Sequence, residues 1–356
     1  MFGRIKHTVM MFMLLFALAS CDKTIHEYPG ANNIELTVRC SIDMAHPEHF
    51  VTVECDAENG TSYVVRTQSV GTLGTRFTEP VCLRYVVDLY RIAASHSTFV
   101  ERKVCFSPVD AANPQAITTF NVDASQYKVL VWCDYVQDDV REAWYYQTDD
   151  LRKILYSDIE VVDNNDKDVF TNVLDVNLSE YYYMEGDFQV VYDLDLYRPK
   201  GRYKCITTDI NDYIKSSGDV QDITSVITYV QYVSAGYNVE EQKPNYFEPT
   251  RTYITTNSVD EIVDGELELC YDYVFVNGKQ TNVKINFYFY KGAVTINEST
   301  GEIIGEEISH WSGIVVPLKR NMETVFEGRM LTTSFGTGGI GIDPGFQGEI
   351  VIPVGD

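Results

Sequence analysis

Hydrophobic and polar residues alternate along most of the chain with the two-residue period of β-strands. The alternation is clear in residues 83–90, 188–197 and 283–290. Residues 227–233 show the same pattern, and residues 129–132 form a short apolar run. β-Branched and aromatic residues dominate these segments, and turn residues bound them. The pattern predicts an all-β protein.

Helical signals are few and short. Residues 149–155 begin with two aspartates and predict a short helix. Residues 208–215 predict a second helix, with Thr208 or Asp209 as its N-cap and Gly218 beyond its end. These helices are minor additions to a β-rich fold.

The chain is long enough for two domains. It has 356 residues, and sequence fragments of residues 88–91 and 133–136 are echoed in the same order at 195–198 and 270–274. Such echoes arise from duplication or by chance, and short fragments do not decide between the two. We predict two tandem β-sandwiches, an N-terminal one over residues 34–184 and a C-terminal one over residues 185–356.

The acidity of the chain restricts its partners. Aspartate and glutamate number 52 against 28 lysines and arginines, which gives a formal charge of −24. A protein that binds nucleic acid needs a basic surface, so we expect no nucleic-acid partner. The same charge disfavours attraction to anionic lipid.

The first 20 residues have the features of a bacterial lipoprotein signal. Arg4, Lys6 and His7 precede an apolar stretch over residues 9–18, which is too short to span a membrane. Small residues then lead into Cys21, as in the lipobox, where the cysteine is acylated and becomes the new N-terminus. We predict a signal peptide at residues 1–20 and a lipidated tether at residues 21–33. An ordinary signal peptide with a chance cysteine is the alternative.

Seven further cysteines follow, and none forms a CxxC pair. Several lie within apolar strand-like runs, where a cysteine acts as a small buried hydrophobe. We interpret them as reduced buried thiols, although one or two disulfides are an open alternative in an exported protein.

Motifs that suggest catalysis lack their structural context. Residues 336–341 satisfy GxGxxG, but Pro344 and Gly345 follow where a dinucleotide loop requires a helix. His310 lies close to Ser312, but the nucleophile elbow Gly-x-Ser-x-Gly is incomplete. We predict that the protein is not an enzyme and needs no cofactor.

Metal motifs are equally incomplete. His46 and His49 form HxxH without a nearby third ligand. Residues 163–168 are rich in oxygen ligands but lack the glycine and glutamate of a calcium-binding EF-hand loop. We interpret that segment as an acidic hairpin loop and predict no metal site.

Two aromatic clusters are candidates for glycan contact. Trp144 and Tyr145 belong to one cluster, and Tyr182 belongs to the other. Aromatic rings stack on sugars, but tyrosines on strands also commonly fill cores and interfaces. Packing is the alternative for all three residues.

The order of motifs along the chain resembles the fimbrillin-like lipoproteins of Bacteroidota, especially the group near the short-fimbria anchor subunits. The matching segments are residues 21–23, 129–135, 145–151, 196–203, 207–210 and 313–321. The resemblance implies two transthyretin-like, Greek-key β-sandwiches and a lipid-anchored protein exposed on the outer membrane. Its implied partners are other fimbrial subunits or surface ligands of host or bacterial cells.

In polymerising members of that family, a trypsin-like protease removes the first strand and a neighbour's strand replaces it. Carried to this sequence, Arg39 is the candidate processing point at the end of a first strand over residues 34–39. Ile350, Ile352 and Val354 are the candidate donor side chains. The alternative is that both strands pair within their own domains, and the sequence does not distinguish stalk, tip and anchor roles.

The sequence thus favours a non-catalytic fimbrial or adhesion subunit. A glycan-binding lipoprotein of a polysaccharide-uptake system is the main alternative, and a passive structural lipoprotein is a third.

Overall fold

The computed structural model of the chain describes residues 33–56, 60–64, 80–93, 96–109, 114–157, 162–163, 165–217, 222–231, 233–297, 300 and 302–335. In chain order its strands are β1 (Ile34–Ile42), β2 (Glu48–Asp56), β3 (Gly60–Val64), β4 (Val81–Ala93), β5 (His96–Pro108), β6 (Gln115–Val122), β7 (Gln126–Gln137), β8 (Tyr146–Gln147), β9 (Ile154–Tyr156), β10 (Val169–Asn177), β11 (Phe188–Leu196), β12 (Lys200–Thr207), β13 (Ile223–Tyr229), β14 (Val233–Asn238), β15 (Lys243–Glu248), β16 (Arg251–Asn257), β17 (Leu267–Phe275), β18 (Gln280–Ile296), β19 (Ile303–Lys319) and β20 (Met322–Gly328). One α-helix, α1 (Ile210–Ser217), and three short 3-10 helices at Asn165–Lys167, Ser179–Tyr183 and Val259–Glu261 complete the described part of the chain. The predicted all-β fold is confirmed.

The first β-sandwich consists of two sheets. Sheet I has the strand order β11-β1-β6, and sheet II has the order β10-β7-β4-β5. Their facing sides alternate in sequence and bury one apolar core, to which Leu36, Tyr85 and Val131 contribute. The alternation that predicts the strands therefore also decides which side chains enter this core.

The second β-sandwich is built in the same way. Sheet III has the order β17-β12-β20-β2-β3, and sheet IV has the order β16-β13-β18-β19. Their facing sides enclose a second apolar core around Tyr203, Phe287 and Trp311.

Two parallel strand pairs of the sandwiches cross the predicted boundary between residues 184 and 185. β2 comes early in the chain but pairs in parallel with β20, in sheet III. β11 comes after the boundary but pairs in parallel with β1, in sheet I. The first sandwich therefore contains β11 from the sequence range predicted for the second, and the second contains β2 and its neighbour β3 from the range predicted for the first.

A smaller sheet connects the two sandwiches. Sheet V has the order β15-β14-β9-β8, and it joins short strands from the middle of the chain to a later hairpin. A third apolar cluster lies beside it, where Trp132 of sheet II contacts Tyr237 of β14 and Phe275 of β17.

The two predicted helices have different outcomes. Residues 149–155 form a turn that leads into β9, so that prediction is wrong; the segment is used to pair with β14. The second helix is present as α1. The Asp209 carboxylate accepts hydrogen bonds from the backbone N–H groups of Leu331 and Thr332 and thereby ties the start of α1 to a distant loop.

The seven described cysteines are free thiols, and all of them except the half-buried Cys105 are buried. Burial raises the pKa of the Cys40 thiol to about 12, so this group is a neutral part of the first core. In the part of the chain that the structure describes, no helix has the length and apolar character needed to cross a membrane.

Candidate functional site

The candidate site is the position of β1 in sheet I. β1 is the central strand, because β11 pairs with one side and β6 pairs with the other. Nine residues of β1 are in register with β11, and eight are in register with β6. Among the described strands, only β1, the one nearest the N-terminus, fills this position. Removing β1 would therefore leave an open groove between β6 and β11.

The groove is apolar along its floor. Ile34, Leu36 and Val38 point into the core of the first sandwich and are fully buried. Each such side chain contributes about 1.5–3 kcal/mol through burial. An empty groove would therefore expose a row of apolar subsites spaced two residues apart.

The outward face of β1 is polar. Thr37 and Thr119 share a hydrogen bond of 3.0 Å between their hydroxyl groups, and Ser41 donates to Asp195. Arg39 forms a two-point ion pair with Asp193, with its Nε 2.7 Å from Oδ1 and its Nη2 3.1 Å from Oδ2. This ion pair lies at the surface and contributes little to stability.

Arg39 has an exposed side chain but a fully paired backbone. Its Cα is in register with Asp193 of β11 on one side and with Ile117 of β6 on the other. A protease binds its substrate as an unpaired extended chain. Cleavage after Arg39 therefore requires β1 to open locally from the folded sheet.

A second cluster, which we call the junction cluster, lies between the two sandwiches around Lys200. Lys200 is fully buried, and its Nζ lies 5.0 Å, 4.8 Å and 4.5 Å from the ring centres of Tyr146, Tyr156 and Phe275. The Nζ donates hydrogen bonds to the hydroxyls of Tyr146 at 2.5 Å and Tyr156 at 2.6 Å, and to the carbonyl of Lys167 at 2.9 Å. Burial lowers the pKa of Lys200 well below its ordinary value, and the charge of Lys167 lowers it further.

Two buried ion pairs join the sandwiches at the junction cluster. Lys167 Nζ lies 2.6 Å from Asp272 Oδ1, and Arg198 Nε lies 2.7 Å from Asp168 Oδ2. Burial raises the pKa of Asp168, and the neighbouring Arg198 opposes that rise. Burial likewise lowers the pKa of Lys167, against the attraction of Asp272.

The prediction of an acidic hairpin loop over residues 163–168 is therefore wrong. Residues Asn165–Lys167 form a buried 3-10 helix, and Asp168 is also buried. Sequence reasoning missed this cluster, although a signal was present. Asp272 interrupts an apolar run over residues 269–276, and a carboxylate in such a buried strand requires a charged partner.

The described residues contain no group of three metal-ligating side chains that could hold an ion. Of the residues predicted for processing or strand exchange, only Arg39 lies in the part of the chain that the structure describes. Cys21, Ile350, Ile352 and Val354 lie outside the described residues.

The residues considered for glycan contact do not form one site. Tyr145 is only 3% exposed and packs with Trp144 at a ring distance of 4.4 Å, in the apolar cluster beside sheet V. Tyr182 lies in the 3-10 helix Ser179–Tyr183 at an end of the first sandwich. Tyr145 therefore serves core packing, whereas the side chain of Tyr182 is exposed at the surface.

The fold defines a class: a two-sandwich β-protein in which the first strand of the described residues lies at the centre of a sheet. The chain belongs to a family of unknown function, DUF6562, whose model matches residues 46–354. No curated protein matches the sequence.

Several solved structures are similar to this chain. A candidate adhesin from Bacteroides ovatus has 14% identity and a TM-score of 0.42, over 83% of this chain and 89% of that one. The fimbrial anchor protein Mfa2 and a C-terminally truncated form of the tip fimbrial protein Mfa3, both from Porphyromonas gingivalis, each have 8% identity over 78% of this chain and 81% of theirs. Their TM-scores are 0.35 and 0.33 respectively.

Adhesins and fimbrial proteins of Bacteroidota are thus among the structures that the chain is similar to, as the sequence resemblance predicts. At these identities and TM-scores, the likenesses carry no functional argument.

Proposed function

We propose that this chain is a non-catalytic fimbrial or adhesion subunit of the cell surface that works by strand exchange. In this proposal β1 occupies its groove only until residues up to Arg39 are removed. A strand from a neighbouring subunit then fills the groove between β6 and β11.

The observation that carries the proposal is the central position of β1, the first strand of the described residues. β1 has strand partners on both sides, so its removal exposes two unpaired strand edges and an apolar floor. Unpaired edges of this kind accept another strand through backbone hydrogen bonds, and the side-chain subsites set its register.

The C-terminal residues supply a donor with matching spacing. Ile34, Leu36 and Val38 fill the groove at every second position. Ile350, Ile352 and Val354 repeat that spacing in residues 348–354. A strand of this sequence can place three branched apolar side chains into three consecutive subsites.

Lipidation at Cys21 anchors the precursor to the outer membrane in this proposal. Acyl chains attached to one cysteine hold a protein stably at a bilayer. The anchor and residues 34–39 are on the same peptide, so cleavage after Arg39 both opens the groove and separates the body from its lipid.

The first test is the mass and N-terminus of the protein isolated from its native cell surface. A start after Arg39, or after another early basic residue, supports strand exchange. An acylated start at Cys21 in all of the protein means that β1 is retained, and it would contradict the cleaved-subunit mechanism.

The second test measures donor binding directly. The protein is cleaved after Arg39 in vitro, and a labelled peptide of residues 348–354 is titrated into it. We expect the labelled peptide to bind saturably, and an unlabelled peptide of residues 34–39 to compete with it for the groove. The control peptide carries Ile352→Asp, which places a charge in an apolar subsite. Equal binding of both peptides would rule out groove recognition.

A further inference from the structure

The 3-10 helix Ser179–Tyr183 presents an unusual surface at one end of the first sandwich. Tyr183 is 86% exposed, Met184 is 45% exposed and Tyr182 is 38% exposed. These three consecutive residues, which we call the tyrosine patch, form a contiguous outward-facing aromatic and apolar surface.

The patch is held in place by residues that point inward. Leu178 is fully buried, and its N–H donates to the carbonyl of Ser125 at 2.8 Å. The Tyr181 ring packs on Phe188 at 4.9 Å between ring centres. The exposure of the patch is therefore a property of a fixed turn between β10 and β11.

The tyrosine patch lies at the end of the sandwich where the chain enters β1. Phe188 donates its N–H to the carbonyl of Asn33, and Ile34 is in register with Phe188. Only the 12 residues 22–33 separate this point from Cys21. Twelve residues reach at most about 45 Å when extended and average about 20 Å as a coil.

From this proximity we infer that the tyrosine patch docks on the membrane surface in the lipid-anchored form. Tyrosine suits this boundary because its ring is apolar and its hydroxyl remains in the headgroup layer. The inference rests on the proposed lipidation of Cys21. The short tether keeps the bilayer within reach, so even weak insertion is favoured by high effective concentration.

The surrounding charges select the kind of lipid. Glu180, Glu185 and Asp187 flank the patch and are exposed. These carboxylates repel anionic headgroups, so the occupant is a bilayer with neutral headgroups.

The test uses the full lipidated protein bound to phosphatidylcholine vesicles. Tyr183→Trp places a fluorophore in the patch, and brominated acyl chains quench a tryptophan that enters the bilayer. Val140→Trp is the control, because Val140 is also exposed but follows β7, whose 12 residues begin beside the patch and run about 40 Å away from it. Wild-type protein gives the background from its own tryptophans.

We expect brominated lipid to cause a loss of fluorescence for Tyr183→Trp and none for Val140→Trp. The loss should be smaller in vesicles that contain anionic lipid. If the protein floats with the vesicles and neither variant is quenched, the docking inference is overturned while the anchor stands. Cys21→Ser, which cannot be acylated, is the control for the anchor. If the wild-type protein fails to float with the vesicles, as this variant should, the proposed lipidation of Cys21 is wrong and the docking inference is wrong as well.

Discussion

At the residue scale, the most informative groups are ionisable side chains that the fold buries. Lys200 is enclosed by aromatic rings and tyrosine hydroxyls, and Arg84 pairs with Asp134 at 2.9 Å and 2.6 Å inside the molecule. Buried charges add little net stability when they are paired, but they cost much when a partner is lost. They therefore fix the arrangement of the elements around them.

Lys200→Met should change how stability depends on pH. Because burial lowers the pKa of Lys200 from 10.5, the folded protein binds fewer protons than the unfolded chain between the two pKa values. Wild-type stability therefore gains from rising pH in that window, and the variant loses this gain. The free energy of unfolding of wild type relative to Lys200→Met should rise by up to about 1.4 kcal/mol per pH unit.

Urea unfolding at several pH values between about pH 7 and pH 9 measures this difference. Lys103→Met is the matched control, because Lys103 is a partly exposed lysine on β5. A parallel pH dependence of wild type and Lys200→Met would contradict the assignment.

Asp134→Asn should destabilise the protein by about 3–5 kcal/mol, because it leaves the buried Arg84 without a charged partner. Asp193→Asn breaks the exposed ion pair with Arg39 and should cost at most about 1 kcal/mol. Chemical denaturation of both variants checks the contrast. Similar losses in the two variants would show that burial is not the deciding factor.

At the scale of elements, strands were predictable and their partners were not. Alternation identifies residues 83–90 and 188–197 as strands, because side-chain direction is a local property. Pairing depends on where the chain returns, so the parallel contacts of β1 with β11 and of β2 with β20 left no local signal. The prediction of a helix over residues 149–155 is wrong because pairing with β14 overrides a weak helical preference.

The same limit applies to the candidate site. Arg39 and the apolar positions of β1 can be read from the sequence, because they alternate. The central place of β1 in sheet I cannot, because it requires knowledge of both neighbours.

Leu36→Ala should make the Arg39–Cys40 bond more sensitive to trypsin. The substitution removes a fully buried side chain and costs about 2–5 kcal/mol, so β1 opens more often. Cleavage should accelerate by about 30-fold or more when opening limits access. N-terminal sequencing over time measures the rate at this bond.

Glu35→Ala is the control, since Glu35 lies on the outward face of the same strand. If both variants are cut at the wild-type rate, the bond is accessible without opening.

At the scale of the whole molecule, each sandwich is assembled from segments that are far apart along the chain. β2 lies in sheet III although it follows β1, and β11 lies in sheet I although it comes shortly before β12. The junction cluster adds buried ion pairs between them. Neither sandwich can be completed by one continuous half of the sequence.

We therefore expect one cooperative unfolding transition for the whole protein. Calorimetry should give a single peak, and Leu36→Ala should lower the temperature of that peak as a whole. Two peaks, with only one shifted by the substitution, would show that the sandwiches unfold independently.

The two-sided pairing of β1 has a mechanical consequence. Ladder hydrogen bonds lie across the strands, so tension applied along β1 from its N-terminal end loads all of them together in shear. A strand peeled from an edge would break its bonds one after another. A molecule held through β1 would therefore resist a pulling force along the strand axis much better than one held through an edge strand.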